Sequence, residues 1–187
     1  MRGDIGNLRH IVDWYSSVFE LIDMRSFSNL WFWIALAVIW STASHWVIGV
    51  PWDMVMRARK TKTAQAQIDL ETLVRINSNR ILYIVGQSGL LIAGFSFFVI
   101  TVLLLLGFVY DREFAQAVFL LGFPMGVVSL LSVSTARKIR VHALEGDVLI
   151  KYMIRHRLFV QLIGILAIFA TALWGMLQNM SSSALGG

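Results

Sequence analysis

ILYIVGQSGLLIAGFSFFVITVLLLLGFV, residues 81–109, decides how this chain is built. It holds no Asp, Glu, Lys or Arg. A bilayer core is crossed by about 20 helical residues, so the run is long enough to cross one with tilt. In hydrocarbon every backbone N–H and C=O must bond within its own segment, which makes the run a helix. Three further runs have the same character: residues 30–50, 115–134 and 158–177, again without a formal charge. The whole chain of 187 residues is 57% hydrophobic and 14% charged, where a soluble domain is nearer a quarter charged. The expected fold class is therefore all-α, an integral membrane four-helix bundle.

Lys and Arg orient the spans. Residues 51–80 hold Arg57, Arg59, Lys60, Lys62, Arg75 and Arg80; residues 135–157 hold Arg137, Lys138, Arg140, Lys151, Arg155 and Arg157. Twelve of the sixteen basic residues thus fall in two segments on one side. By the positive-inside rule these segments are cytoplasmic, and both termini and the Asp111–Arg112–Glu113 link lie on the other side. The opening MRGDIGNLRH has no apolar core of signal-peptide length, so the mature chain is expected to begin at or near Met1.

The cytoplasmic segments are themselves helical in pattern. Ala66, Leu70, Leu73 and Asn77 share one stripe, and no proline interrupts the path into residues 81–109. Glu145-Gly146-Asp147 reads as a tight helical hairpin, with Gly146 as a left-handed C-cap near Glu145 and Asp147 as the next N-cap. A short helical cytoplasmic extension is expected. Residues 1–28 place Leu8, Ile11, Tyr15, Val18 and Ile22 on one face and Arg9, Asp13, Ser16, Glu20 and Asp23 on the other. This predicts an N-terminal amphipathic interfacial helix on the non-cytoplasmic side, followed by the membrane domain, residues 29–187.

Candidate residues are few. His45 lies in STASHWVIGVPWD, residues 41–53, about 9 Å of helix from Pro51. An intramembrane histidine is a functional candidate, here as a haem ligand or proton carrier, but the depth favours an interfacial helix exit that Pro51 terminates. Gly86, Gly89, Ala93 and Gly94, with Gly122 and Gly126 around Pro124, form small-residue surfaces of the kind that let helices approach closely. Contacts within the chain are favoured for them over contacts between copies. Asn77, Gln87 and Ser88 make a polar collar at one end of the second span. The absence of cysteine excludes disulfides and thiolate sites. No phosphate-binding loop, HExxH or nucleophile motif occurs, and no metal or cofactor is expected. The basic runs lack interleaved stacking aromatics, so no nucleic-acid partner is expected.

SSVFELIDMRSFSNLWFWIALAVIWSTASHWVIGVPWDMV, residues 16–55, with the following RARK, resembles a family of short bacterial inner-membrane proteins labelled "component of SufBCD complex". The resemblance spans roughly residues 16–60. It implies a bacterial inner (cytoplasmic) membrane location and a role in anchoring iron–sulfur assembly machinery through the cytoplasmic helices. It brings no catalytic residues.

The preferred reading is a non-enzymatic accessory or scaffold subunit of a larger inner-membrane complex, whose partners are the lipid bilayer and other membrane subunits or further copies of itself. One alternative is a homo-oligomeric ion channel or small transporter lined by the collar and by Ser41–His45. The other is a haem-binding electron-transfer subunit with His45 shared between protomers.

Overall fold

The structure is a computed structural model that describes Phe27 and residues 30–61 and 63–184, with side chains through residue 180. The expected amphipathic helix over residues 1–28 lies outside the described residues, apart from Phe27. Five α-helices run along the rest: α1 (Leu30–His45), α2 (Trp52–Thr61), α3 (Ala64–Leu104), α4 (Glu113–Val141) and α5 (Gly146–Ala184). A two-stranded antiparallel hairpin, β1 (Trp46–Val47) and β2 (Val50–Pro51), joins α1 to α2. The fold is all-α with this one small hairpin. Three helices are long and apolar enough to cross a membrane: α3 with its continuation to Val109, α4, and α5. α1 is apolar but shorter, at 16 residues.

The unbroken pattern from residue 64 onward becomes a single helix of 41 residues, about 60 Å long. It runs into one five-residue π turn, Leu105–Val109. At its start Leu70, Val74 and Ser78 are buried, one turn apart. The two apolar residues join Ala136 and Ile139 of α4, Leu149, Ile150 and Met153 of α5, Val55 and Ala58 of α2, and the hairpin. This core sits at the basic end of the molecule. A second cluster places Leu36 and Trp40 of α1 against Val160 and Ala167 of α5 and Val128 of α4.

Three expectations change. α1 ends at His45 instead of running to residue 50. Val47, Ile48 and Val50 are at most 4% exposed, so burial of the tight turn replaces helix. Ile48 and Gly49 both have positive φ, 55° and 72°, the pattern of a type I′ hairpin turn. Pro51 therefore closes a strand. α4 ends at Val141, short of Glu145, and Ala143 takes the left-handed position (φ 42°). Leu144 N–H closes the end on Ile139 O at 3.2 Å, as in a Schellman motif. Gly146 takes the expected positive φ (58°) but as the first residue of α5, and its N–H donates to Glu71 Oε1 of α3 at 2.8 Å.

The third change concerns α3. Residues 90–98 are exposed one after another, so every face of the helix is open over more than two turns. α3 meets the other helices near its basic end and again at Gly107, where an added Cβ would lie 3.0 Å from Gln116 N. Between those points it stands apart.

Candidate functional site

Glycine placement separates the helix contacts the chain makes from those it leaves open. Gly86, Gly94, Gly122 and Gly126 have nothing within 4 Å of an added Cβ, and Gly89 meets only its own helix at Val85. Among the described residues the expected intrachain contacts at these five positions are not made. The close approaches occur elsewhere: Gly164 lies under the Trp40 ring, where a Cβ would come to 2.8 Å, and Gly175 lies under Phe27. Sequence spacing had no means of telling the two sets apart, because Gly49, Gly107, Gly164 and Gly175 are each met by a side chain from another element.

The polar collar is also divided. Asn77 donates from Nδ2 to Gly49 O at 2.8 Å, pinning the hairpin turn. Gln87 is exposed and Ser88 half-buried, and Gln87 lies about 15 Å further along the helix from Asn77. His45 is the last residue of α1, exposed, with its ring edge-on to Trp46 at 6.1 Å. Beside it Arg157 of α5 donates from Nε to Ser44 O at 3.0 Å and lies 4.1 Å over the Trp52 ring. A guanidinium at the end of α1 satisfies a terminal carbonyl and complements the helix dipole. A cavity of about 410 Å³ here is lined by Ser41, Thr42, Ser44, His45, Trp46 and Arg157. It contains one imidazole, so a bis-imidazole haem here draws its second ligand from outside this cavity. Among the described residues no group of three metal-ligating side chains gathers.

Two polar sites escaped the sequence reading. At the end of the molecule opposite the hairpins, Gln116 is 1% exposed. Its Nε2 donates to Gly107 O at 2.8 Å and Asp111 Oδ1 at 3.0 Å; its Oε1 accepts from Trp174 Nε1 and Gln178 Nε2, both at 2.9 Å. An indole N–H only donates and a carbonyl only accepts, so the partners fix which amide atom is which. The π turn, the link at Asp111 (φ 51°) and α5 are all held by one side chain.

The second site is a cleft of about 290 Å³ between α4 and α5 at the basic end. α4 contributes Leu131, Ser134, Thr135 and Lys138, and α5 contributes Tyr152, Arg155, His156 and Phe159. Each set follows i, i+3, i+4, i+7, one stripe of a helix. His156 is 4% exposed, and burial pushes its pKa down to about 4. It precedes the apolar stretch that begins at residue 158, so it lies on the basic shoulder of α5. Its ring is neutral at pH 7. Thr135 Oγ1 donates to Leu131 O at 2.8 Å and lies 3.0 Å from His156 Nδ1. With the hydroxyl proton on Leu131 O, Nδ1–H donates to Oγ1 and Nε2 carries the lone pair; that is the tautomer in which both contacts are hydrogen bonds. The cleft carries the cations Lys138 and Arg155 and no carboxylate.

No family model, no curated protein and no solved structure matches the chain.

Proposed function

We propose that the chain is a four-span protein of the inner (cytoplasmic) membrane acting as a non-enzymatic accessory or scaffold subunit of a larger membrane complex. Three helices have the length and hydropathy of spans. α1 supplies about 24 Å of helix, a few ångströms short of the hydrocarbon core, a mismatch that local thinning accommodates. The Lys/Arg asymmetry puts the hairpin end in the cytoplasm and both termini outside.

The observation that carries the reading is the open middle of α3. Lipid is as apolar as leucine, so helices associate in a membrane by close packing, and small residues permit it. Here an added Cβ at Gly86 or Gly94 of α3, or at Gly122 or Gly126 of α4, meets none of the described residues, and residues 90–98 are exposed. A helix of another subunit packed against these surfaces gains the contacts that the chain itself does not make. Iron–sulfur assembly machinery is the partner class implied by the resemblance over residues 16–60.

The test is native mass spectrometry of tagged protein extracted gently from its own membranes. A heteromeric mass supports the proposal. A monomer refutes it. A homo-oligomer replaces it with the channel reading, which proteoliposome flux then examines.

A further inference from the structure

The cleft between α4 and α5 differs from its neighbour between α3 and α4. The neighbour sets Glu71 and Glu145 beside Arg75 and Arg140 and is close to neutral. The α4–α5 cleft has Lys138 and Arg155 with no opposing carboxylate. Because the two helices are antiparallel, Lys138 and Tyr152 lie toward the hairpin, while Leu131 and Phe159 lie about 10 Å further along. The lining thus grades from cationic and hydroxyl-bearing to apolar. The Arg155 guanidinium, 5.8 Å from the Phe159 ring centroid, spans the transition.

The geometry points to a binding site for an anionic phospholipid whose headgroup carries a free hydroxyl. Lys138 and Arg155 match a phosphodiester, and Arg155 offers it a planar fork of donors. The same two cations repel the amine of a zwitterionic headgroup. His156 Nε2 adds a second requirement. In the tautomer whose Nδ1–H donates to Thr135 Oγ1 it is an acceptor, and an ionised phosphate has no proton to offer it. A glycerol-type hydroxyl does. The volume of about 290 Å³ is at the low end for small-ligand sites; it takes a headgroup and leaves the acyl chains along Leu131 and Phe159, at the start of the apolar stretch. A soluble phosphate ester gains nothing from those two residues. The assignment rests on the membrane reading, which sets the hairpin end at the bilayer surface.

The full-length chain, delipidated in a non-ionic detergent, is titrated with three lipids of equal chain length and read by native mass spectrometry. Phosphatidylglycerol is expected to be retained about tenfold better than phosphatidylmethanol, which has the same charge without the hydroxyls. It is expected to exceed phosphatidylcholine by at least as much. The double variant K138Q/R155Q alters two exposed side chains and is expected to erase the preference while circular dichroism stays unchanged. Equal retention of the three lipids overturns the proposal, as does a preference that survives in K138Q/R155Q. Saturation by glycerol 3-phosphate with no lipid retained overturns the lipid assignment in favour of a soluble phosphoester. The three-lipid comparison on the unaltered chain decides the matter even if the double variant fails to fold. Failure here leaves the subunit proposal untouched, because that proposal is read from mass composition alone.

Discussion

Replacing Gln116 by glutamate changes almost no volume and inverts the chemistry at one atom. Nε2 donates to two pure acceptors, Gly107 O and Asp111 Oδ1. Q116E puts a carboxylate oxygen there instead. The buried Gly107 carbonyl then loses its donor and faces another oxygen, which costs about 1–3 kcal/mol. The new carboxylate also faces that of Asp111; because Asp111 is exposed, solvent screening keeps this repulsion to about 1 kcal/mol. The bonds from Trp174 and Gln178 to Oε1 survive. A loss of about 3 kcal/mol in a chain of this size lowers Tm by about 6–12 °C. The assay is thermal unfolding in one detergent, followed by tryptophan fluorescence, for which Trp174 sits at the site. The second half of the argument is the rescue. D111N alone keeps an acceptor for Nε2 and is expected to be near neutral. In Q116E/D111N the asparagine amide turns to donate to the introduced carboxylate, restoring one bond and removing the repulsion. The double variant should recover about half of the lost Tm. The reasoning fails if Q116E melts within about 2 °C of the parent, or if D111N does not improve it.

Four further outcomes follow from the same geometry. G164A forces a Cβ to within 2.8 Å of the Trp40 ring, itself 4% exposed; α1 must shift, at about 1–3 kcal/mol, visible as a lower Tm. For His156, the folded pKa of about 4 lies below the ordinary histidine value of 6.5, so between those values the unfolded chain binds more protons and stability falls as pH falls. The loss totals up to about 3 kcal/mol by pH 4, and H156Q should remove that share of the acid dependence in parallel pH–Tm curves. E71Q removes the charge from the bond to Gly146 N–H at the start of α5 and should cost about 1 kcal/mol in chemical denaturation. An added Cβ at Gly94 or Gly126 meets nothing among the described residues, so in G94L and G126L Tm of the isolated protein should hold while a co-purifying partner is lost; a partner retained by both variants counts against these glycines as its contact surface.

The helices were legible because their signal is local. Hydropathy and the absence of proline fixed residues 64–109 as one rod, and the Glu145–Asp147 turn placed the start of α5 within a residue. The misread ends have non-local causes. Trp46-Val47-Ile48-Gly49-Val50 is apolar enough to continue α1, and only the buried hairpin, with Asn77 reaching Gly49 O from α3, makes it turn. Gly146 does take positive φ (58°), but α4 is capped earlier, at Ala143, where Leu144 can reach Ile139. The α4–α5 cleft was partly written in the sequence, since both of its stripes keep i, i+3, i+4, i+7 spacing. That they face each other depends on where the turn falls, and α4 ends four residues before the expected Glu145.

The polar bonds involving α3 gather at its two ends. Near the basic end Glu71 holds the start of α5 and Asn77 holds the hairpin turn; beyond the far end Gln116 holds the π turn through Gly107. The stretch between contributes no buried residue from 90 to 98. A span held at both ends and uncovered in the middle can take a neighbouring helix along that middle without breaking the bonds that define the fold. Stability and association are then carried by different residues, glutamine, asparagine and glutamate at the ends and glycines in the middle. This is why substitutions at the two sets are expected to separate a melting temperature from a partner.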